Sequence, residues 1–435
     1  IGMNKKTLKI GIVGLGSVGQ GVIKILQDNS ELIKKKTNTD IQIIGICAKD
    51  KNKKRDIAIH KYKWFDNPKS LAEDKSLDVL IELIGGEDGI ALEVVESAIS
   101  SNKHVITANK ALLAKHGNYL FGLAEKNKVT ILYEAAVAGA IPIIKTLRES
   151  TASNDISALY GILNGTCNYI LTSMERDSIT FDEALEKAKE LGFAEADPTF
   201  DIEGYDAAHK LSILASVSFS QSIAFNDISI QGIKNISLDD ILAAKDYGYK
   251  IKLLGIAKKN YNKLTQNVRP CLVPSESQLA KIDWEKNAVV IKGGFFGELT
   301  LSGPGAGRLP TASAVFGDIF DIINETNYPS LGTPLSNLSE NISSDNYNEK
   351  ARFYLRFLLP DVSGTMASIT NIMAKNNISI DDITQRISKK MFKQNLVPIT
   401  IITSTTDFVS INKAVEDINK NNYSPISPNI IIIED

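Results

Sequence analysis

Thr7–Val22 reads TLKIGIVGLGSVGQGV. Leu8, Ile10, Ile12 and Val13 make a short apolar strand that runs directly into Gly14, Gly16 and Gly19, spaced G-x-G-x-x-G. Glycines at that spacing permit a tight turn, close approach of a pyrophosphate and helix–strand packing. A helix from about Gly19 to Leu26 is expected next, with the amides around Ser17 and Val18 free to meet phosphate oxygens. The strand before and the helix after make a nicotinamide dinucleotide site the better reading than a plain turn.

The pattern repeats outward. IQIIGICA (residues 41–48), DVLIELIGG (78–86), KHVITANKALLA (103–114) and VTILYEAAVAGAIPII (129–144) each place a strand ahead of a turn or helix. Such alternation predicts a doubly wound, Rossmann-type parallel sheet over residues 7–150. Ligands bind at the carboxyl ends of parallel strands, which singles out Lys49, Gly85 and Lys110. Lys49, with Lys51, Lys53, Lys54 and Arg55 behind it, suits a 2′-phosphate. Asp50 keeps NAD(H) open beside NADP(H), and a merely solvated loop is the plainer alternative. The turn Val137–Pro142 has no bulky polar side chain. It offers carbonyls beside Glu134, which fits either an oxygen-only cation site or simple tight packing of small residues.

An α+β substrate and dimerisation domain is expected over residues 151–307. ISALYGIL is its first strand, and Asn164-Gly165-Thr166 opens a helix whose amides and hydroxyl can meet cofactor or substrate. Thr180 and Glu183 have capping-box spacing, Leu185, Ala188 and Leu191 recur on one face, and Gly192 ends the helix. Glu195, Asp197, Asp201 and Glu203 then crowd a loop, and Asp206 and Lys210 follow four apart on one helix face. Either the loop is solvated and the pair is an ordinary ion pair, or the carboxylates surround a cation. Gly303, Gly305 and Gly307 form a turn, and the helix 308–325 returns to complete the nucleotide-binding unit. Residues 326–350, rich in Asn, Ser and Pro, read as a linker. Residues 351–435 read as a small βαββαβ domain, expected to fold separately because few contacts need cross that linker.

The chain has 435 residues, 43% hydrophobic and 23% charged, with a net charge of −2. No basic field points to nucleic acid. No signal peptide and no membrane-spanning apolar run is read. Cys47, Cys167 and Cys271 are too few and too scattered for a disulfide framework or a zinc site. A reducing cytoplasm is the expected setting.

The run A-x-x-x-G-F-A-x-x-D-P-x-x-D-I-x-G-x-D-x-x-x-K, from Ala188 to Lys210, resembles the signature of homoserine dehydrogenase. GIVGLGSVGQGV, IELIGG, TANKALLA, YEAAVAGAIPII, GILNGTCNYIL and GPGAG carry the resemblance over residues 7–325. The last domain resembles an ACT domain, with Ser363 where a proline often precedes the turn glycine, here Gly364. The resemblance implies reversible NAD(P)-dependent reduction of L-aspartate 4-semialdehyde to L-homoserine. It implies Lys210 as the proton carrier, Lys110 between nicotinamide and substrate, and Glu195 and Asp206 on the substrate ammonium with Thr166 nearby. Gly14, Gly16, Ser17, Val18, Gly19, Lys49, Gly85, Lys110 and Gly307 would face the cofactor. Glu134 with the carbonyls of Val137, Gly139 and Ile141 would hold a sodium-type monovalent cation. A homodimer or higher homo-oligomer and an L-threonine effector are also implied. Two alternatives stand beside this: a semialdehyde dehydrogenase using Cys167, and a non-catalytic NADPH-responsive ACT regulator.

Overall fold

The computed structural model describes residues 6–261, 263–326, 328–339, 349–385, 396–421 and 428–434. Five strands, Lys6–Val13, Thr39–Cys47, Val79–Glu82, His104–Thr107 and Ile131–Leu132, form an all-parallel sheet. The first strand lies between the second and the third. Chain direction therefore diverges on either side of Val13, and this switch point opens the crevice into which Gly14–Gly19 project. Ile10 and Ile12 are fully buried, as strands covered by helices on both faces require.

The first helix, Ser17–Thr37, is longer than expected. Its burial continues past Leu26 to Ile33, about two turns on, and it stops at Asn38 in the left-handed region (φ +53°). Helix Arg308–Ile323 crosses it at Gly21, where a Cβ would lie 2.7 Å from the Arg308 carbonyl. Glycine there permits the backbones to touch.

Among the described residues the second sheet has eleven strands, nine on its main path and two short ones, Ser229–Ile230 and Thr406–Asp407, off it. Gly297–Pro304, Lys286–Gly293, Ile156–Ile162, Tyr249–Asn260 and Lys263–Pro274 follow one another across its first half. Asn429–Ile433, Lys350–Pro360, Leu396–Thr403 and Ile380–Gln385 continue it, and the helices Thr365–Lys375 and Phe408–Lys420 complete the βαββαβ order. The structure thus corrects the expectation of a separately folding last domain. Asn429–Ile433 pairs with Lys350–Pro360 and also runs parallel to Lys263–Pro274, with Ile432 opposite Cys271. One apolar core holds Ile162, Leu254 and Cys271 together with Phe353, Leu355 and Ile369. The expected linker is also packed down where it is described: Leu331 is buried, and Tyr133 donates to the Ser330 carbonyl at 2.6 Å. Residues 340–348 of that stretch lie outside the described residues. No described helix is long and apolar enough to cross a membrane.

Two buried charge clusters cross the junction. Asp240, wholly buried, accepts from Ser237 N (2.9 Å), Tyr354 Oη (3.0 Å), Arg356 Nε (2.5 Å) and Asn429 Nδ2 (2.8 Å). Burial pushes its carboxyl up, but the Arg356 guanidinium and the other donors outweigh that and hold it below the usual aspartate range. Lys258 and Arg269 likewise share Glu349 and Glu434 at 2.7–3.5 Å.

Asp240→Ala leaves the Arg356 charge buried without its partner, and should cost about 3–5 kcal/mol. The urea midpoint checks this, and an unchanged midpoint would mean the cluster does not hold the junction. Because the native carboxyl is depressed, this stabilisation is present above the ordinary aspartate pKa and is lost as pH falls through the lower native value.

Candidate active site

Helix Tyr205–Phe219 starts at Gly204, whose φ of +91° turns the chain sharply out of the acidic loop. Asp206 sits in its first turn, where the helix dipole favours a carboxylate. Lys210 lies one turn on, and its ammonium donates to Asp206 Oδ2 at 2.7 Å and to the Leu163 carbonyl at 2.7 Å. Asp206 Oδ1 meets Lys110 Nζ at 2.9 Å. Lys110 opens the helix Lys110–Asn127 at the carboxyl end of the fourth parallel strand, so Asp206 bridges the nucleotide-binding unit and the second unit. The structure brings Lys110, Asp206 and Lys210 together; the spacing argument pairs only Asp206 with Lys210, and the strand-end argument places Lys110 only on the cofactor side.

The three groups shape one another electrically. Burial would raise the Asp206 carboxyl, but Lys210 and Lys110 overcome it and hold it far below the usual range. Burial drives Lys210 below the ordinary lysine value; Asp206 opposes that shift and the charge of Lys110 adds to it. Lys110, a third exposed, is raised chiefly by Asp206.

Asn164 ties the NGT turn to this centre. It caps helix Gly165–Asp177 through Cys167 N at 2.8 Å, and its Nδ2 donates to Asp201 Oδ1 and to Asp206 Oδ2, both at 2.8 Å. Thr166 Oγ1 lies 2.6 Å from the Phe193 carbonyl and 3.1 Å from Asp201 Oδ2. Burial, then the neighbouring Asp206 charge, raises Asp201 against the hydrogen bonds of Asn164 and Thr166. Asn164 and Asp201 were not among the candidate site residues, although both stand in stretches the sequence singled out.

The acidic loop does not act as a unit. Asp197 accepts from the Thr199 amide and hydroxyl in a local turn, and Glu195 is exposed on the rim. Glu195 reaches the centre only through its charge on Lys110. The preceding helix, Phe181–Glu190, has the capping box of Thr180 and Glu183, but it buries Ala184 and Ala188 while Leu191 is 62% exposed. The small residues face helix Gly165–Asp177, and Leu191 lies past the last turn.

The Cys167 alternative fails. Its thiol is fully buried, donates to the Asp201 carbonyl at 3.2 Å, and is pushed well above its usual range by burial and by Asp201. A thiol kept neutral and covered is no nucleophile. His209 packs between Phe200 and Phe225, with ring centroids at 5.3 and 4.6 Å.

At the carboxyl ends of the first parallel strands a cavity of about 760 Å³ is lined by Gly14, Gly16, Lys49, Lys53, Arg55 and Ile84, among others. Gly14 has φ +103°, and a Cβ on it would fall 2.4 Å from the Leu83 carbonyl; one on Gly19 would fall 2.0 Å from the Gly14 carbonyl. Gly16 precedes the helix without a side-chain cap, and Ser17 and Val18 begin it, so the first amides face outward. Arg55, a cation the sequence placed only behind Lys49, is fixed by the carbonyls of Asp50 (2.6 Å) and Lys53 (2.9 Å). Glu82, missed by sequence reasoning, is buried. It accepts from Ile84 N (2.7 Å), Gly85 N (3.2 Å) and Thr107 Oγ1 (2.6 Å), and so shapes the Gly85 turn. Gly307, φ +120°, begins helix Arg308–Ile323.

The Glu134 carboxylate is buried, accepts the Ile144 and Lys145 amides at 2.9 Å each, and is pushed up to about 7, mainly by burial. The Ile141 carbonyl accepts Ile143 N at 2.8 Å, whereas those of Val137 and Gly139, both buried, accept no hydrogen bond from the described residues. Two buried residues whose carbonyls have no donor among the described residues, in the turn that follows Glu134, offer oxygens of the kind a hard cation takes. No group of three or more His, Cys, Asp or Glu among the described residues is arranged to hold a metal.

Three family models match the chain: homoserine dehydrogenase, NAD binding domain, over residues 14–134; homoserine dehydrogenase over 142–320; and ACT domain over 353–420. A homoserine dehydrogenase of Neisseria gonorrhoeae is 40% identical over 416 residues, covering 94% of each chain. One of Helicobacter pylori is 38% identical over 436 residues, covering 99% of this chain and all of the relative. The crystal structure of a homoserine dehydrogenase from Thiobacillus denitrificans superposes with a TM-score of 0.92 at 37% identity over 99% of both chains. A hyperthermophilic archaeal homoserine dehydrogenase mutant in complex with NADPH superposes at TM-score 0.62, with 27% identity over 75% of this chain and 99% of that one. With its triad, its dinucleotide crevice and relatives aligned over nearly its whole length, this chain belongs to the homoserine dehydrogenase family of NAD(P)-dependent oxidoreductases.

Proposed function

We propose that Lys210 is the proton carrier of the reaction and that Asp206 holds Lys210 and Lys110 in register for it. The observation that carries this reading is the single buried carboxylate clamping two lysines from different units. The bound dihydronicotinamide supplies the hydride. A lysine ammonium has three protons; Leu163 and Asp206 take two from Lys210, which leaves one for the substrate oxygen. As negative charge grows on that oxygen during aldehyde reduction, Lys210 releases its proton to it; in homoserine oxidation the neutral amine takes it back. Lys110, with donors to spare, lies between the crevice and the substrate and steadies the same oxygen. Asp206 is already saturated by the lysines and Asn164. We therefore assign the substrate ammonium chiefly to Asp201 and Glu195, with Asp206 contributing its charge and Thr166 a hydroxyl.

NADP(H) is our preferred cofactor over NAD(H), with Lys49, Lys53 and Arg55 on the 2′-phosphate; the archaeal relative in complex with NADPH supports this. Gly14 to Gly19, Gly85 and Gly307 would line its path. Glu134 and the carbonyls of Val137, Gly139 and Ile141 would hold a sodium-type ion. The three buried free cysteines suit a reducing cytoplasm. Among the described residues the strand Ile380–Gln385 is an edge of the large sheet, and an edge of that kind invites pairing with a second copy. L-Threonine is the proposed effector of the ACT domain.

Lys210→Ala should lower kcat by roughly two to four powers of ten while NADPH binding stays unchanged; near-normal turnover would remove the assignment. Since Lys210 is depressed, homoserine oxidation should rise, and aldehyde reduction fall, as pH climbs through a value below that of an ordinary lysine, which paired pH profiles of kcat will test.

Lys49→Asp should weaken NADPH far more than NADH, because an attraction to phosphate becomes a repulsion. Equal losses, read from fluorescence titrations, would make Lys49 a solvated bystander.

Threonine inhibits only if it binds the less active state more tightly. The Asp361–Gly364 turn, with Gly364 at φ +92° and Ser363 before it, is its candidate seat. Rising threonine added to the full chain should depress homoserine oxidation; indifference at millimolar levels would leave the ACT domain an assembly role alone.

A further inference from the structure

Lys210 depends on a second acceptor, the Leu163 carbonyl, which is not a free group. Asn287 Nδ2 donates to the same oxygen at 3.2 Å. Asn287 stands on the strand Lys286–Gly293, beside Ala288, which pairs with Ile162. Its side chain is 1% exposed, and its Oδ1 has no hydrogen-bond partner. Across the strand it faces Gly303, and a Cβ on Gly305 would fall 2.0 Å from its carboxamide carbon. The strand's start is itself anchored, because Asn168 donates to the carbonyls of Ile282 (3.0 Å) and Lys286 (3.3 Å). A buried amide with one atom unsatisfied, pressed against a glycine that leaves it room, is costly to keep. What it does in return is hold one carbonyl.

We propose that Asn287 is a positioning residue for proton transfer, fixing the Leu163 carbonyl so that it shares its electron density between the amide and the Lys210 ammonium. The assignment rests on the reading of Lys210 as the proton carrier. A carbonyl that already accepts one hydrogen bond is a poorer acceptor for the next. Asn287 therefore weakens the hold on the ammonium and keeps Lys210 readier to give its proton up. Hydrogen bonding to a charged form favours that form, so removing the Asn287 amide should make Lys210 a weaker acid. The charged and titratable groups around Lys210 are Asp206, Lys110, Asp201, His209 and Cys167. None of them is altered by a neutral substitution at Asn287.

The test is the pH profile of kcat for homoserine oxidation in the wild-type enzyme, Lys210→Ala, Asn287→Leu and Asn287→Ala. The limb that belongs to Lys210 should vanish in Lys210→Ala. In both Asn287 variants it should move to higher pH by about half a unit, on the order of a lost hydrogen bond shared between two donors. KM for homoserine should stay within about twofold, since Asn287 lies behind Lys210. Two neutral replacements of different size keep the test alive if one fails to fold. If the limb persists in Lys210→Ala, the reading of Lys210 falls, and this inference with it. If it vanishes there but stays in place in the Asn287 variants, whatever happens to kcat or thermal stability, Asn287 is only a packing residue and the inference alone is overturned.

Discussion

The catalytic arrangement depends on one carboxylate shared by two ammonium groups. An isolated buried charge is expensive, and Asp206 is tolerable only because Lys110 and Lys210 reach it from opposite units. The same contact fixes the distance between the dinucleotide crevice and the NGT turn. Losing either lysine leaves the buried carboxylate with a single counter-charge, and the carboxylate cannot be lost without leaving two cations uncompensated. Geometry and electrostatics thus enforce one another, and the remaining parts of the site (Asn164, Thr166 and the Leu163 carbonyl) hang from this centre.

Much of this was legible in the chain. The G-x-G-x-x-G run declared itself because glycine alone tolerates the approaches at Gly14 and Gly19. Lys110 was legible from its place at a strand end, and Asp206 with Lys210 from their spacing of one helical turn. Partnerships across long sequence distances were not. Nothing in the acidic loop tells that Asp197 spends itself on Thr199 while Asp201 turns inward. Glu82 looked like one more residue of an apolar strand, and its hold on the Gly85 turn exists only once the chain has folded back on itself. Asn287, in an otherwise ordinary strand, gave no signal at all.

The last domain shows the same limit more strongly. Its βαββαβ order could be read from local periodicity, yet its independence could not, because independence depends on what the terminal strand pairs with. Five residues, NIIII, find the open side of Lys263–Pro274 as well as their own sheet. Charge then seals the seam. Asp240 and Arg356 face each other across it, and Lys258 and Arg269 clasp Glu434 just beyond the final strand. The last domain is therefore continuous, through sheet, core and charge, with the hairpin Tyr249–Pro274 on which the catalytic helix Tyr205–Phe219 packs.

Gly21 and the crossing it permits have a further meaning for the order in which the molecule is made. The nascent chain emerges N-terminus first, so the helix Ser17–Thr37 leaves the ribosome long before the helix Arg308–Ile323 that covers it. Val22 and Ile23, fully buried in the finished protein, sit close to that crossing. The large sheet waits longer still, since the flank of Lys263–Pro274 is covered only when Asn429–Ile433 has been synthesised. Local order can appear early, but the two layers close only after residues 308–323 and 429–433 have emerged, and a nascent chain halted before residue 308 would hold out a polypeptide with two uncovered apolar seams.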